Sequence, residues 1–510
     1  MSQKEHAPRG HLQLMGLTLL LLAGCFIFHI KNASSGVPLY RDQHLGTAVQ
    51  YYKTKIDLLK PVIIGFNATG TPTPQELPVW QALAGLAFKM LGPWYGWANL
   101  VSLLVFCTSL FPLFRLAKIF AGERAAWWTL VFFLSQPLIF MLAGEASTDG
   151  FSLVTAIWFL FFGVGLLQRG TLIWWIPTML MGALAAVSKL PFFMTAGLTC
   201  FFVLVTRHRN SPRAWLLLAS AGAVIVALFF WWTSYTNRCI AAAEFPFVDL
   251  RLSHSDSSLW YFGDLKYRLH PGNWLKGGWR VLNACFGSFA FVGVFLHALF
   301  FLRDSFLGKL LLLSAFITTL VFTHLVLHHV HYYLMFTPAF AVFCAVAASD
   351  LEKKLSPESL WLTNASLAIV AAVLGLSIVQ GLIGIKIVLH FDPYPYEMAG
   401  EIQKYCSPTD KLLIEGGGWG GNELMLSDRK GMSIWNTKLL DQPENLKRLK
   451  ELGYDKLVMI SDSPLLVAVQ QVNPGESKFH RQSYREFMTP LVNDWPTLRQ
   501  TEDILIKEIP

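Results

Sequence analysis

Apolar runs of membrane-spanning length follow one another along the first three quarters of the chain, separated mostly by short polar breaks. They fall near 12–30, 97–119, 125–143, 150–168, 172–188, 191–206, 214–236, 283–302, 310–330, 332–349 and 361–387. A helix rising about 1.5 Å per residue needs roughly 20 apolar residues to cross about 30 Å of hydrocarbon. The pattern therefore predicts a polytopic α-helical membrane protein of about eleven transmembrane helices. After residue 388 the pattern changes to short elements: a helix over 396–405, a strand over 411–414, a glycine-rich turn, a strand over 431–435, a helix over 444–452 and a strand over 456–460. That order predicts a small soluble α/β C-terminal domain. The expected division is a membrane domain, residues 1–387, with long outer segments at 31–96 and 237–282, and a soluble extracytoplasmic domain, residues 388–510. Two amphipathic stretches in the first outer segment, 44–59 and 77–91, have the character of helices lying in the membrane interface. The Gly416-Gly417-Gly418 run does not fit GxGxxG, so no nucleotide site is assigned.

Composition and charge set the orientation. Charged residues make up only 15% of the chain and hydrophobic ones 54%, against roughly a quarter charged in soluble proteins. The net charge of +8 is accounted for by topology and does not call for a nucleic-acid partner. With the N-terminus in the cytoplasm, the inner loops carry Arg115, Lys118, Arg124, Arg169, Arg207, Arg209, Arg213, Arg303, Lys309, Lys353 and Lys354, as the positive-inside rule requires. Of the short outer turns, only the one at Lys189 breaks the rule. An odd number of spans places the C-terminal domain outside. Leu22-Ala23-Gly24-Cys25 has the look of a lipobox, but the apolar run continues to Ile30 and is read as the first span. The seven cysteines contain no CxxC, which leaves zinc and redox motifs without support.

Ionisable groups near hydrocarbon are costly and often functional, so the outer ends of the spans hold the candidate chemistry. Asp42 reads either as a general base in a partly dehydrated cleft or as a solvated loop aspartate. Glu145 and Asp149 flank a short outer turn, and Asp149 could equally be the N-cap of the fourth span. Glu76 stands before an amphipathic helix, where the helix dipole alone would favour it. Lys189, in Ser188-Lys189-Leu190-Pro191, reads as a phosphate ligand or as a snorkelling side chain. His328, His329, His331, Tyr332 and Tyr333 cluster at another outer mouth, with no zinc-like spacing.

In their order and side of the membrane these features resemble the GT-C superfamily of polyprenyl-phosphate-sugar-dependent glycosyltransferases, notably bacterial members similar to protein mannosyltransferases and the aminoarabinose transferase of lipid A. The carriers are Asp42 with His44, Glu76-Leu77-Pro78-Val79-Trp80, Glu145 to Asp149, the Ser188–Pro191 turn, and His331-Tyr332-Tyr333 followed by Pro338. The resemblance implies an inverting transfer of sugar from a polyprenyl-phosphate donor to an acceptor lipid, glycan or protein, with membrane lipids around it. It assigns Asp42 as the catalytic base and Lys189 to the donor phosphate. His44, Glu76, Glu145, Asp149, His331 and Tyr332 would contact substrate. A divalent metal ion at Glu145 and Asp149 is a further implication, set against the paired acidic motif that some members carry and this sequence lacks. A transporter or flippase of lipid-linked sugar is the alternative from another class, although no inverted repeat is visible. A non-catalytic assembly partner is the third.

Overall fold

A computed structural model describes residues 3–32, 37–38, 42–65, 72–242, 255–287, 289–302, 305–354, 375–376, 378–379, 391–392, 394–415, 422–434, 440–462, 484–487 and 490–510. The chain divides into two compact units: 1–29, 100–233 and 252–386 form the first, and 30–99, 234–251 and 387–510 the second.

The first unit is helical. Its long elements are α1 (Gln3–Asn32), then, beyond the outer segment, α4 (Tyr95–Ala121), α5 (Glu123–Ser135), α6 (Pro137–Leu142), α7 (Thr148–Arg169), α8 (Leu172–Ser188), α9 (Leu190–Arg207) and α10 (Pro212–Ala241). Short helices α11 (Ser255–Phe262) and α12 (Leu265–Leu269) lead to α13 (Pro271–Phe286), α14 (Phe289–Phe301), α15 (Phe306–Val321), α16 (Thr323–His328), a 3₁₀ turn (Val330–Phe336) and α17 (Thr337–Lys354). Among the described residues, six helices are long and apolar enough to cross a membrane; the chain is an integral, multi-pass membrane protein. α7 is buried along nearly its whole length, against α8 and α9, and α17 packs against α5, α14 and α15. Hydroxyls rather than charges join α9 to α15: Thr195 Oγ1 stands 3.0 Å from Thr318 Oγ1, and Thr199 Oγ1 2.9 Å from Ser314 Oγ. In a lipid-facing bundle such bonds replace the hydrophobic drive that water would supply.

Three expected spans are broken. The run 125–143 divides at Gln136, because Pro137 opens α6 and Gln136 turns its amide to the Thr337 carbonyl at 2.7 Å. The run 283–302 begins one element later, since Gly287 closes α13 in the left-handed region. The run 310–330 bends at Phe322, between α15 and α16. The run 361–387 lies almost wholly outside the described residues.

The second unit joins the first outer segment to the tail. Its sheet has the order β4-β3-β5-β7-β6. Strands β3 (Lys411–Glu415), β4 (Lys430–Ile434) and β5 (Lys456–Ile460) are parallel, and β6 (Thr497–Gln500) and β7 (Ile504–Glu508) close it antiparallel. Leu412 and Ile414 face the helix Tyr394–Tyr405, while Leu413 faces the helix Pro443–Glu451 through Leu449. Right-handed crossovers account for helices on both faces. From the outer segment, β1 (Val37–Pro38) pairs antiparallel with β2 (Phe391–Asp392), and Gly65 forms a parallel bridge to Met432 on the edge strand. Helix α2 (Asp42–Lys53) packs on α3 (Val79–Leu91). α3 buries Trp80, Ala84 and Phe88 and leaves Leu83, Leu86, Met90 and Leu91 exposed, the amphipathic division expected of an interfacial helix.

Candidate functional site

In the first unit the polar groups gather where α7, α8, α9 and the 3₁₀ turn end. Helix α8 stops at Ser188 and α9 starts at Leu190, so Lys189 is a one-residue extended joint with φ −153° and ψ 103°. Pro191 favours that break, since it has no N–H to continue the α8 hydrogen-bond ladder and is well accommodated in the first turn of a new helix. The joint turns the Lys189 side chain into the protein, where it is 8% exposed. Its Nζ lies 3.2 Å from Asp149 Oδ1 and 5.4 Å from the centre of the Tyr332 ring. Asp149 is wholly buried. The capping alternative for Asp149 does not hold: Ser147 is the N-cap of α7 and accepts from the Asp149 amide at 3.4 Å. Asp149 therefore sits in the first turn of α7, facing the Lys189 ammonium. Ser188, 3% exposed, has no hydrogen-bond partner for its hydroxyl.

Glu145 occupies the buried turn before α7, whose backbone is closed by Glu145 N–H to Leu142 O at 3.4 Å and Ser147 N–H to Glu145 O at 2.7 Å. This turn rests on a residue that sequence reasoning passed over. His29, at the end of the first apolar run, places Nε2 3.0 Å from the Phe140 carbonyl and 3.3 Å from the Gly144 amide. A Cβ on residue 144 would stand 2.5 Å from the His29 ring, so glycine is required there. The available signal was an imidazole inside a transmembrane run.

The histidine cluster is continuous through His329, whose ring centre lies 5.1 Å from that of His331. His324, His328 and His329 surround Trp260 of α11 at ring-centre distances of 5.1, 5.4 and 5.2 Å. His331 in turn packs on Tyr332 at 4.5 Å, on the Lys189 side. Both His331 and Tyr332 are buried, and Tyr332 stacks on Phe192 of α9.

In the second unit Asp42 is the first residue of α2. Two residues on, His44 is 4% exposed, and its Nε2 lies 3.1 Å from Glu76 Oε2. Glu76 precedes α3 by three residues and so answers to His44 more than to that helix's dipole. The pair borders a cavity of about 10 Å³, enough for about one water, lined also by Thr47, Gln75 and Gln81. Burial and the nearby Asp57 raise the Tyr51 phenol far above its ordinary range, and its hydroxyl donates to the Asp57 carbonyl at 2.8 Å.

A divalent ion does not fit Glu145 and Asp149. The Asp149 charge is answered by Lys189, and among the described residues no group of three or more His, Cys, Asp or Glu is arranged to hold a metal. What the first unit offers is a buried ammonium beside a phenol and an imidazole, a setting for an anionic group. What the second unit offers is a carboxylate-bearing helix start braced by a His–Glu pair.

No protein-family model matches the sequence, and no curated protein matches it. Solved structures do. ArnT from Cupriavidus metallidurans bound to undecaprenyl phosphate superposes with a TM-score of 0.61 at 13% identity, covering 98% of both chains. The arabinofuranosyltransferase AftD from Mycobacteria gives 0.54 at 14% identity over 98% of this chain and 40% of its own. The Archaeoglobus fulgidus oligosaccharyltransferase gives 0.50 at 10% identity over 88% and 69%. Helices and C-terminal sheet both fall within the ArnT match, which covers 98% of this chain, and the chain shares the fold of these solved structures.

Proposed function

We propose that the protein is an inverting glycosyltransferase that moves a sugar from a polyprenyl-phosphate donor to a lipid, glycan or protein acceptor on the extracytoplasmic face of the membrane. The observation that carries this reading is the buried Lys189, paired with Asp149 and lying over Tyr332 in a turn between two spans. A fixed ammonium there suits the phosphate of a lipid-linked sugar. The match to ArnT, whose structure holds undecaprenyl phosphate, supports a donor of that class.

In this reaction an acceptor oxygen or nitrogen attacks the anomeric carbon from the side opposite the phosphate. The bond from that carbon to the phosphate oxygen breaks, and its electron pair leaves with the polyprenyl phosphate. Phosphate monoesters have a second pKa of about 6, so the leaving group needs charge stabilisation rather than a general acid. Lys189 supplies that charge, with Asp149 holding the ammonium in place. Asp42 takes the acceptor's proton. His44, Glu76, Glu145, His331 and Tyr332 contact substrate or brace these groups. The N-terminus is cytoplasmic, residues 1–387 form the catalytic membrane domain, and 388–510 form an outward-facing soluble domain.

The test is sugar transfer in liposomes supplied with radiolabelled polyprenyl-phosphate sugars and candidate acceptors, with Asp42→Asn and Lys189→Gln beside the wild type. Transfer by the wild type and a loss of at least a hundredfold in both folded variants is the expected result. Label crossing the bilayer while still on its lipid would replace this reading with a flippase, and full activity in Asp42→Asn would remove the assigned base.

A further inference from the structure

Helix α2 is not an independent interfacial helix. The segment before it, β1, pairs with β2, the strand that enters the soluble domain. At its other end Lys53 forms an ion pair with Asp428, which sits in the left-handed region with φ 56° at the close of the helix Asn422–Ser427. Beyond α2 the chain turns back along the sheet. Ile64 packs on the core made by Tyr394, Ile402, Ile414 and Val458. Gly65, with φ 92°, bridges to Met432, and its carbonyl accepts from the Ser433 amide at 2.7 Å. Helix α2 lies on this returning segment: a Cβ on Gly46 would stand 3.4 Å from the Ile64 Cβ. Gly65 thereby covers part of the exposed edge of β4, which would otherwise be open to pairing with other chains.

The geometry points to the soluble domain as the positioning device for the helix that begins at Asp42. Ile64, Gly65 and Asp428 are positioning residues in a reaction whose base is on α2. This rests on the reading of Asp42 given above. A base must be held to a fraction of an ångström in the productive geometry, and a helix in a 66-residue outer segment (31–96) has no such constraint from its own connections. Here it is fixed from both ends and from one side by a rigid sheet. The substrate class is unchanged; what is added is a role for the C-terminal domain as part of the catalytic apparatus rather than an appended module.

The experiment uses the full chain in liposomes and joins steady-state kinetics to amide exchange of α2. Gly65→Val, which forces a left-handed backbone onto a β-branched residue, should lower kcat about tenfold or more with donor KM within about twofold. Exchange at α2 should quicken while β3 and β5 stay protected. Asp428→Lys should lower kcat about threefold, and adding Lys53→Asp should restore it. If the valine variant loses sheet protection as well, the charge swap alone decides. A kcat untouched while α2 exchanges faster, or a swap no better than its single variant, overturns the proposal. Asp42→Asn in the same assay separates the two ideas: an active Asp42→Asn protein removes the base, whereas an inactive one beside fully active docking variants removes only the positioning role.

Discussion

Each unit buries a carboxylate, and each treats it differently. In the first, Asp149 is entirely enclosed among transmembrane helices and meets the Lys189 ammonium at 3.2 Å. In the second, Glu415 ends β3 at 2% exposure with one oxygen lacking any hydrogen-bond partner, and burial pushes its pKa from the usual 4.5 up to about 8. A helical bundle in lipid can recruit a counter-charge from a neighbouring helix break. Glu415, on the face of the sheet that carries Leu413, Met432 and Ile434, instead keeps its proton near neutrality. The first arrangement sets a cation against the carboxylate; the second gives up the charge. A charge that is expensive to bury persists where another residue makes it useful.

The sharpest way to break that contrast is to remove one half of the pair. Lys189→Met leaves Asp149 buried without compensation and should destabilise the first unit by about 3–5 kcal/mol, measured as thermal unfolding in detergent. Adding Asp149→Asn should recover most of that stability without recovering transfer. Equal stability of the single variant and wild type would show that the pair is solvated after all.

Glu415 gives the next largest effect, with pH as the lever. Its folded-state pKa lies above the unfolded one, so its contribution to stability is fully present below about 4.5 and is lost as pH rises through about 8. At about 1.4 kcal/mol per unit of displacement, the loss between those limits is of the order of a few kcal/mol. The unfolding temperature of the full chain should therefore fall toward alkaline pH, and Glu415→Gln should flatten the profile. An unchanged slope would place the proton elsewhere. The smallest effect tests whether the membrane unit is held together by its neutral polar contacts as well. A double-mutant cycle of Thr199→Val and Ser314→Ala should show a coupling of about 0.6 kcal/mol, and a coupling near zero would assign α9–α15 cohesion to packing alone.

The long elements were legible because their signals are one-dimensional. Lipid demands a continuous apolar run, and the run 97–119 became Tyr95–Ala121 as the run 150–168 became Thr148–Arg169. The tail strands at 411, 431 and 456 were readable from short apolar runs bounded by glycine and charge. The span breaks at Gln136 and Phe322 were not readable, because apolarity continues across them; only Pro137 hinted at the first. β6 and β7 escaped for the opposite reason: Thr497–Gln500 is largely exposed and has no apolar period. Of the candidate site, Lys189 with Asp149 and His44 with Glu76 were each named singly from the sequence. Their pairing was not, since separations of 40 and 32 positions say nothing about which carboxylate a cation will meet. Glu415 and His29 were missed because each sits in an apolar run that reads as structural.

The edge contact at Gly65 has a bearing on how the protein comes into being. The companion pair Lys53–Asp428 joins residues 375 positions apart, and contacts of such sequence separation form late because the intervening chain must first be brought together. During synthesis the segment that carries Asp42 emerges early, yet the strand that seats it is made near the end. Through that interval α2 lacks its docking surface, and a chain stalled or clipped before Met432 would carry the helices of the first unit with α2 unseated. Seating of α2 is thereby coupled to completion of the polypeptide.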